Sequence, residues 1–225
     1  MKKADSKQGR MRVVLFFVAA AVAAVALAAA LASITAALRG GGPRDVPVLF
    51  GDMPAFALQS QHGEPITRDD LRGKVWVASF VFTRCAGTCP MITSRKAELQ
   101  QLRRQMIEQH EMWRDVRLVS FSVDPGHDTP EVLRGYADRY EADGEHWFFL
   151  TGDREVIWAL IRDGFRLSVE DAPDNPQMPI LHSEQFVLVD REGQVRGYYD
   201  AFDEEQLRSL YYDMWAVLEQ QPAGG

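Results

Sequence analysis

Apolar positions divide the chain into two unequal parts. From Val13 to Leu38 there is no charge, and almost every residue is Ala, Val, Leu, Phe or Ile. An α-helix needs about 20 such residues to cross the hydrocarbon core of a bilayer, so this run predicts a single transmembrane helix. Basic residues crowd its N-terminal flank, which keeps the N-terminus in the cytoplasm and sends the remainder outward. A cleaved signal peptide competes with this reading, because Ala30-Leu31-Ala32 resembles a small-residue cleavage site. The apolar stretch of a signal peptide usually runs about 7 to 15 residues, and this one is far longer. The expected division is a basic cytoplasmic tail over 1–12, an anchor over 13–38, a linker over 39–46 containing Gly40-Gly41-Gly42-Pro43, and a folded domain over 47–220.

Beyond the linker the pattern alternates between strand-like and helix-like periods. Two short pieces, Phe56-Ala-Leu-Gln and Glu64-Pro-Ile-Thr, flank Gly63 and predict a hairpin. Val75 to Phe82 is a continuous apolar run rich in β-branched and aromatic residues, the mark of a strand buried on both faces. A helix is expected from Pro90, with Leu99, Leu102 and Met106 on its buried stripe. Val116 to Val123 reads as the second central strand. The following helix is expected at Thr129-Pro130-Glu131, with Thr129 as N-cap and proline in the first turn. Trp147–Leu150 predicts a short strand and Arg154–Arg162 a helix. Residues 166–181, with Pro173, Pro176 and Pro179, predict a loop. Strands over Gln185–Val189 and Val195–Tyr199 turn at Asp190-Arg-Glu-Gly193, and an amphipathic helix closes the chain from Asp203 to Glu219. This is a thioredoxin-type order with an added N-terminal hairpin; the alternation predicts a layered α/β domain and does not by itself establish the thioredoxin topology.

Charge narrows the partners. The net charge is −7, and residues 1–44 hold seven basic side chains against one acid, which leaves the body at about −13. So acidic a body repels phosphate backbones, which argues against nucleic acid and favours basic partners.

Only two cysteines are present, in Phe82-Thr-Arg-Cys85-Ala-Gly-Thr-Cys89-Pro90. They lie between a buried strand and a helix start, where open α/β sheets place ligands and where helix N-termini favour thiolates. A structural disulfide, a redox dithiol and a pair of metal ligands all suit the residues. So short a loop makes a weak structural staple, and C-x-x-C is the usual redox spacing. A peroxidase loop of T-x-x-C type does not fit, because Thr83 stands two residues before Cys85. His182, between the proline-rich loop and a strand, joins the cysteines only if the fold brings it there. A Cys2His set suits Cu(I), Cu(II) or Zn(II), whereas closed zinc sites take four protein ligands. Asp124, at the end of the second strand, is a candidate to orient a ligand or to cap the turn before Pro125. His62, His110, His127 and His146 are expected on the surface. Met53, Met91 and Met178 are expected to be packing residues, the last two flanking the site.

Three blocks in order resemble the SCO/SenC family of copper chaperones. They are Phe82-Thr-x-Cys85-x-x-x-Cys89-Pro90, Ser122-Val-Asp124-Pro125-x-x-Asp128-Thr129-Pro130, and His182-Ser-x-x-Phe-x-Leu-Val-Asp190-x-x-Gly193-x-x-Arg196-Gly197-Tyr-Tyr. The resemblance covers about residues 47–220. It implies a thioredoxin-like fold, copper bound by Cys85, Cys89 and His182, and Asp124 supporting binding or transfer. It also implies a redox-active Cys85/Cys89 pair and delivery of copper to the dinuclear copper centre of cytochrome c oxidase, reduction of that centre's cysteines, or both. A copper donor and a thiol reductant are the other implied partners. The implied location is the cytoplasmic membrane with the domain on the periplasmic side. Many members carry proline after the first cysteine; here Ala86 and Gly87 follow, which loosens the loop. A membrane-tethered thiol–disulfide oxidoreductase with no need for copper is the competing function.

Overall fold

The central strand forms because Val75–Val81 has no polar side chain larger than serine and every residue of it is buried. The computed structural model of the chain describes residues 49–175 and 178–220. The basic tail, the apolar run 13–38 and the linker lie outside the described residues. Among those described, no helix is long and apolar enough to cross a membrane.

In chain order the strands are β1 (Phe50–Asp52), β2 (Ala57–Gln59), β3 (Pro65–Thr67), β4 (Val75–Val81), β5 (Val116–Ser122), β6 (Trp147–Leu150), β7 (Val169–Asp171), β8 (Ile180–His182), β9 (Gln185–Val189) and β10 (Gln194–Asp200). The helices are α1 (Cys89–Ile107), α2 (Pro130–Asp138), α3 (Arg154–Ala159) and α4 (Glu204–Glu219). Six strands form one sheet in the order β1-β10-β9-β4-β5-β6. β4, β5 and β6 run parallel, while β9, β10 and β1 continue the sheet in antiparallel pairs. β2 and β3 pair as the expected N-terminal hairpin, tied to the sheet's far edge by Gln59 and Thr151. The mixed α/β, thioredoxin-like architecture is therefore the one expected.

One face of the sheet stacks Trp76, Phe80 and Phe121 against Phe165, and Phe56 closes on Phe121. α1 covers the other face with unexpected chemistry. Its buried positions include Lys96, Gln100 and Arg103 beside Ile92 and Leu99, while Leu102 and Met106 are only half-buried. Lys96 Nζ reaches Ser79 Oγ, Val119 O and Ser120 Oγ at 2.8, 2.6 and 3.4 Å. A long polar side chain fills core volume when oxygens wait at its tip. Apolar periodicity alone is blind to that.

Two expectations are corrected, and two elements were not foreseen. Residues 166–181 are not one loop, because β7 pairs with β8 in a small antiparallel ribbon; Pro173 and Pro179 lie outside these two strands and leave their ladder intact. A 3-10 turn at Glu111–Asp115 precedes β5, and β1 adds an edge strand beside β10. The helix after Asp153 ends in a π-type turn over Leu160–Gly164.

Candidate metal centre

β4 ends at Val81 and the chain turns at once, Cys85 N–H bonding Phe82 O at 3.3 Å. Thr88 stands at the N-cap position of α1 without a capping side-chain hydrogen bond, and Cys89 opens the helix, with Pro90 in the first turn, where its missing N–H costs no bond. The cysteines are thus not one turn apart on a helix: Cys85 sits in the loop and Cys89 on the first helical residue. Both are reduced and buried.

His182 ends β8, and the β7–β8 ribbon carries it to the dithiol. Its Nε2 lies 3.4 Å from Cys89 Sγ. Its Nδ1 faces Ser183 O at 3.0 Å. A carbonyl only accepts, so Nδ1 carries the proton and the Nε2 lone pair is left for the sulfur side. Phe82 meets the ring edge-on at 5.8 Å and fixes its tilt. Burial lowers the His182 pKa, which keeps the imidazole neutral, as a metal ligand must be.

The two thiols differ sharply. The hydrogen bond from the Cys89 thiol is the main cause of a Cys85 pKa lowered to about 5; N–H groups of Cys89 and Gly87 add to it and burial opposes it. The same bond and deep burial push Cys89 far upward. One proton therefore leaves the pair readily and the other is held, the pair titrating as a unit. Backbone N–H groups at the start of α1 act on Cys85 although Cys89 is the residue that begins the helix.

The three residues meet through Cys89 and do not yet form a closed cage: among the described residues no three His, Cys, Asp or Glu side chains enclose a metal position. The donor set still fits a soft cation, with two sulfurs, a neutral imidazole nitrogen and a loop at Ala86-Gly87 able to adjust. Asp124 meets Arg84, its carboxylate 2.5 Å from Arg84 Nε. It reaches the cysteine loop through Arg84, and no direct bond to Cys85, Cys89 or His182 accompanies that pair.

Asp128 was legible only as part of a motif. It is wholly buried and accepts hydrogen bonds from Thr83 N–H at 3.2 Å, Thr83 Oγ1 at 2.5 Å and Ser122 Oγ at 2.6 Å. That clamp ties the start of the cysteine loop to the end of β5. On the other side, Thr93 Oγ1 bonds Cys89 O and Tyr136 OH, both at 2.8 Å. Met53 is core, Met91 is 56% exposed, and Met178 is half-buried across Gly87 from Cys85. His62 and His127 are exposed as expected, but His110 packs on Trp215 and His146 pairs with Asp143.

The SCO1/SenC family matches residues 52–211. The chain is 31% identical over 176 residues to the SCO1 protein homolog of Bacillus subtilis, covering 77% of this chain and 86% of that one. The structure of BsSco, described as a member of the Sco family of cytochrome c oxidase assembly proteins with a disulfide switch, superposes with a TM-score of 0.67 at 28% identity, covering 79% of this chain and 99% of that one. Copper-bound ScoI of Bradyrhizobium japonicum shares the fold at a TM-score of 0.58 and 24% identity, over 72% of this chain and 98% of that one.

Proposed function

The chain belongs to the SCO1/SenC family, and from that premise we propose that it is a membrane-anchored copper chaperone whose cargo is held by Cys85, Cys89 and His182. The observation that carries this reading is the approach of His182 Nε2 to Cys89 Sγ at 3.4 Å, with Nδ1 already engaged by a carbonyl. A ring held in that tautomer, beside two reduced thiols, is a ligand set for copper. Copper in ScoI, on the same fold, supports it. Arg84 and Asp124 border the loop; in this reading Asp124 holds Arg84 in place and so sets the charge beside Cys85.

The cargo passes by ligand exchange to cysteines and histidines of a recipient. The copper-receiving subunit of cytochrome c oxidase is the recipient we infer, from the assembly role stated for BsSco. The uncharged run Val13–Leu38 and its basic flank support a single-pass anchor in the cytoplasmic membrane, with the domain on the periplasmic side. The proposed division is tail 1–12, anchor 13–38, linker 39–46 and copper-binding domain 47–220.

The deciding measurement is an anaerobic Cu(I) titration of the reduced protein against a competing chelator, beside His182→Ala. One tight equivalent, weakened at least about tenfold in the variant, is expected, since losing one of three ligands costs more than about 1.4 kcal/mol. Equal affinity in both proteins would sink the three-ligand site.

A second reading is favoured by the acidic Cys85 thiol: a thiol–disulfide reductase in which the dithiol gives two electrons and two protons to a partner disulfide and becomes the Cys85–Cys89 disulfide. Under that reading His182→Ala leaves the rate of disulfide exchange with a model disulfide unchanged and copper is dispensable.

A further inference from the structure

α1 and α4 leave an aromatic groove of about 430 Å³ far from the dithiol. Leu102, Met106, Trp113, Tyr211, Tyr212 and Trp215 line it, and the exposed Arg208 joins them. None of the residues placed at the dithiol lines it.

Its position in the fold is informative. Met106 stands seventeen residues along α1 from Cys89, about 25 Å at 1.5 Å per residue. Trp113 lies in the 3-10 turn just before Val116, which pairs with Val75 at the start of β4; the cysteine loop follows the other end of that strand. The domain is entered at the groove's end too. Leu49 N–H bonds Val195 O at 2.8 Å, beside the β9–β10 turn, and that turn adjoins the start of β4 through Trp76 and Val189. Ten residues, 39–48, separate the end of the apolar run from Leu49. Fully extended they reach at most about 36 Å.

We propose that this groove seats on the headgroup–acyl boundary of the phospholipid bilayer, so that the domain rests on the membrane with its dithiol facing away. The inference rests on the anchored reading above. Its own support is chemical: indole and phenol rings have an apolar body and a polar tip, which is what the boundary layer solvates best. Tyr212 is 59% exposed, and Arg208 supplies a fixed cation for a lipid phosphate. A tether of at most about 36 Å keeps the groove within reach of the bilayer.

The test uses the full chain in nanodiscs of phosphatidylethanolamine and phosphatidylglycerol, with lipid brominated near the headgroup end of its acyl chains as quencher. Trp215→Phe identifies the emission due to Trp215, and Tyr212→Ser, at an exposed position, guards against a folding defect. Quenching of most of the Trp215 emission, reduced in Tyr212→Ser, is the expected result. A chain retained in the disc with Trp215 unquenched overturns the groove proposal and leaves the anchor standing. If that Trp215 is also shielded from aqueous iodide, the groove is covered by protein and the proposal is equally overturned. A chain not retained in the disc overturns the anchor and the proposal together.

Discussion

At Cys85 a hydrogen bond from the neighbouring thiol holds the pKa near about 5, against an ordinary value of 9.0. The thiolate therefore persists well below neutrality, and its stabilisation of the fold is present above the unfolded value and fades as pH falls through about 5. Alkylation by iodoacetamide, followed by mass spectrometry across pH, is expected to modify Cys85 first with a midpoint near 5. Cys89 should resist until its partner is blocked. Preferential labelling of Cys89 would refute this order. Asp128 is the residue on which the loop's geometry rests. Asp128→Ala leaves Thr83 and Ser122 donors without an acceptor, which is expected to cost about 2–3 kcal/mol, read as a lower urea midpoint. The carboxylate was visible in the sequence as a letter in a motif. Its burial was not, because only the packed β5–α2 connection removes it from water.

At the scale of elements, α1 shows how a helix can be central without a strong apolar stripe. Lys96 is fully buried, and burial pulls its pKa well below the ordinary lysine value of 10.5. Three oxygens at its tip offset part of the desolvation. Lys96→Met keeps the volume, and Ser79 and Ser120, 3.1 Å apart, can pair with each other. Burying the ammonium costs desolvation that its neutral acceptors repay only in part, so Lys96→Met is expected to unfold at equal or higher urea. The unfolded lysine binds the proton more tightly, so wild-type stability rises with pH up to 10.5 while the variant lacks that slope. The advantage of Lys96→Met should narrow in alkali; a gap that widens would contradict the account. The β7–β8 ribbon is the other element that matters, since it delivers His182. Three-residue strands among prolines carry too little periodicity to be read from letters alone.

For the whole molecule, the proposed site couples redox state to cargo. Oxidation joins Cys85 to Cys89 and removes both thiolates at once, so the oxidised protein is expected to bind no copper tightly and to regain one equivalent after reduction. Copper titration of oxidised and re-reduced samples checks this, and tight binding by the disulfide form would show that other ligands hold the metal. The N-terminal segment matters at this scale as well. If the apolar run 13–38 anchors the chain, full-length protein should resist alkaline extraction from membranes, while a chain beginning at residue 45 should not.

The sequence by itself determined the layered α/β order, the strand buried on both faces, the closing helix and the cysteine loop at a strand-to-helix junction. Those features follow from local periods, caps and turns, which act over a few residues. It also carried the family, through three blocks of spaced residues. Only the tertiary structure decided that His182, 93 positions from Cys89, sits 3.4 Å from its sulfur. The same holds for Arg84 facing Asp124 and for α1 burying a lysine. These are long-range pairings, set by how strands register and what fills the space between layers, and a one-dimensional pattern contains no distance between its far-apart letters.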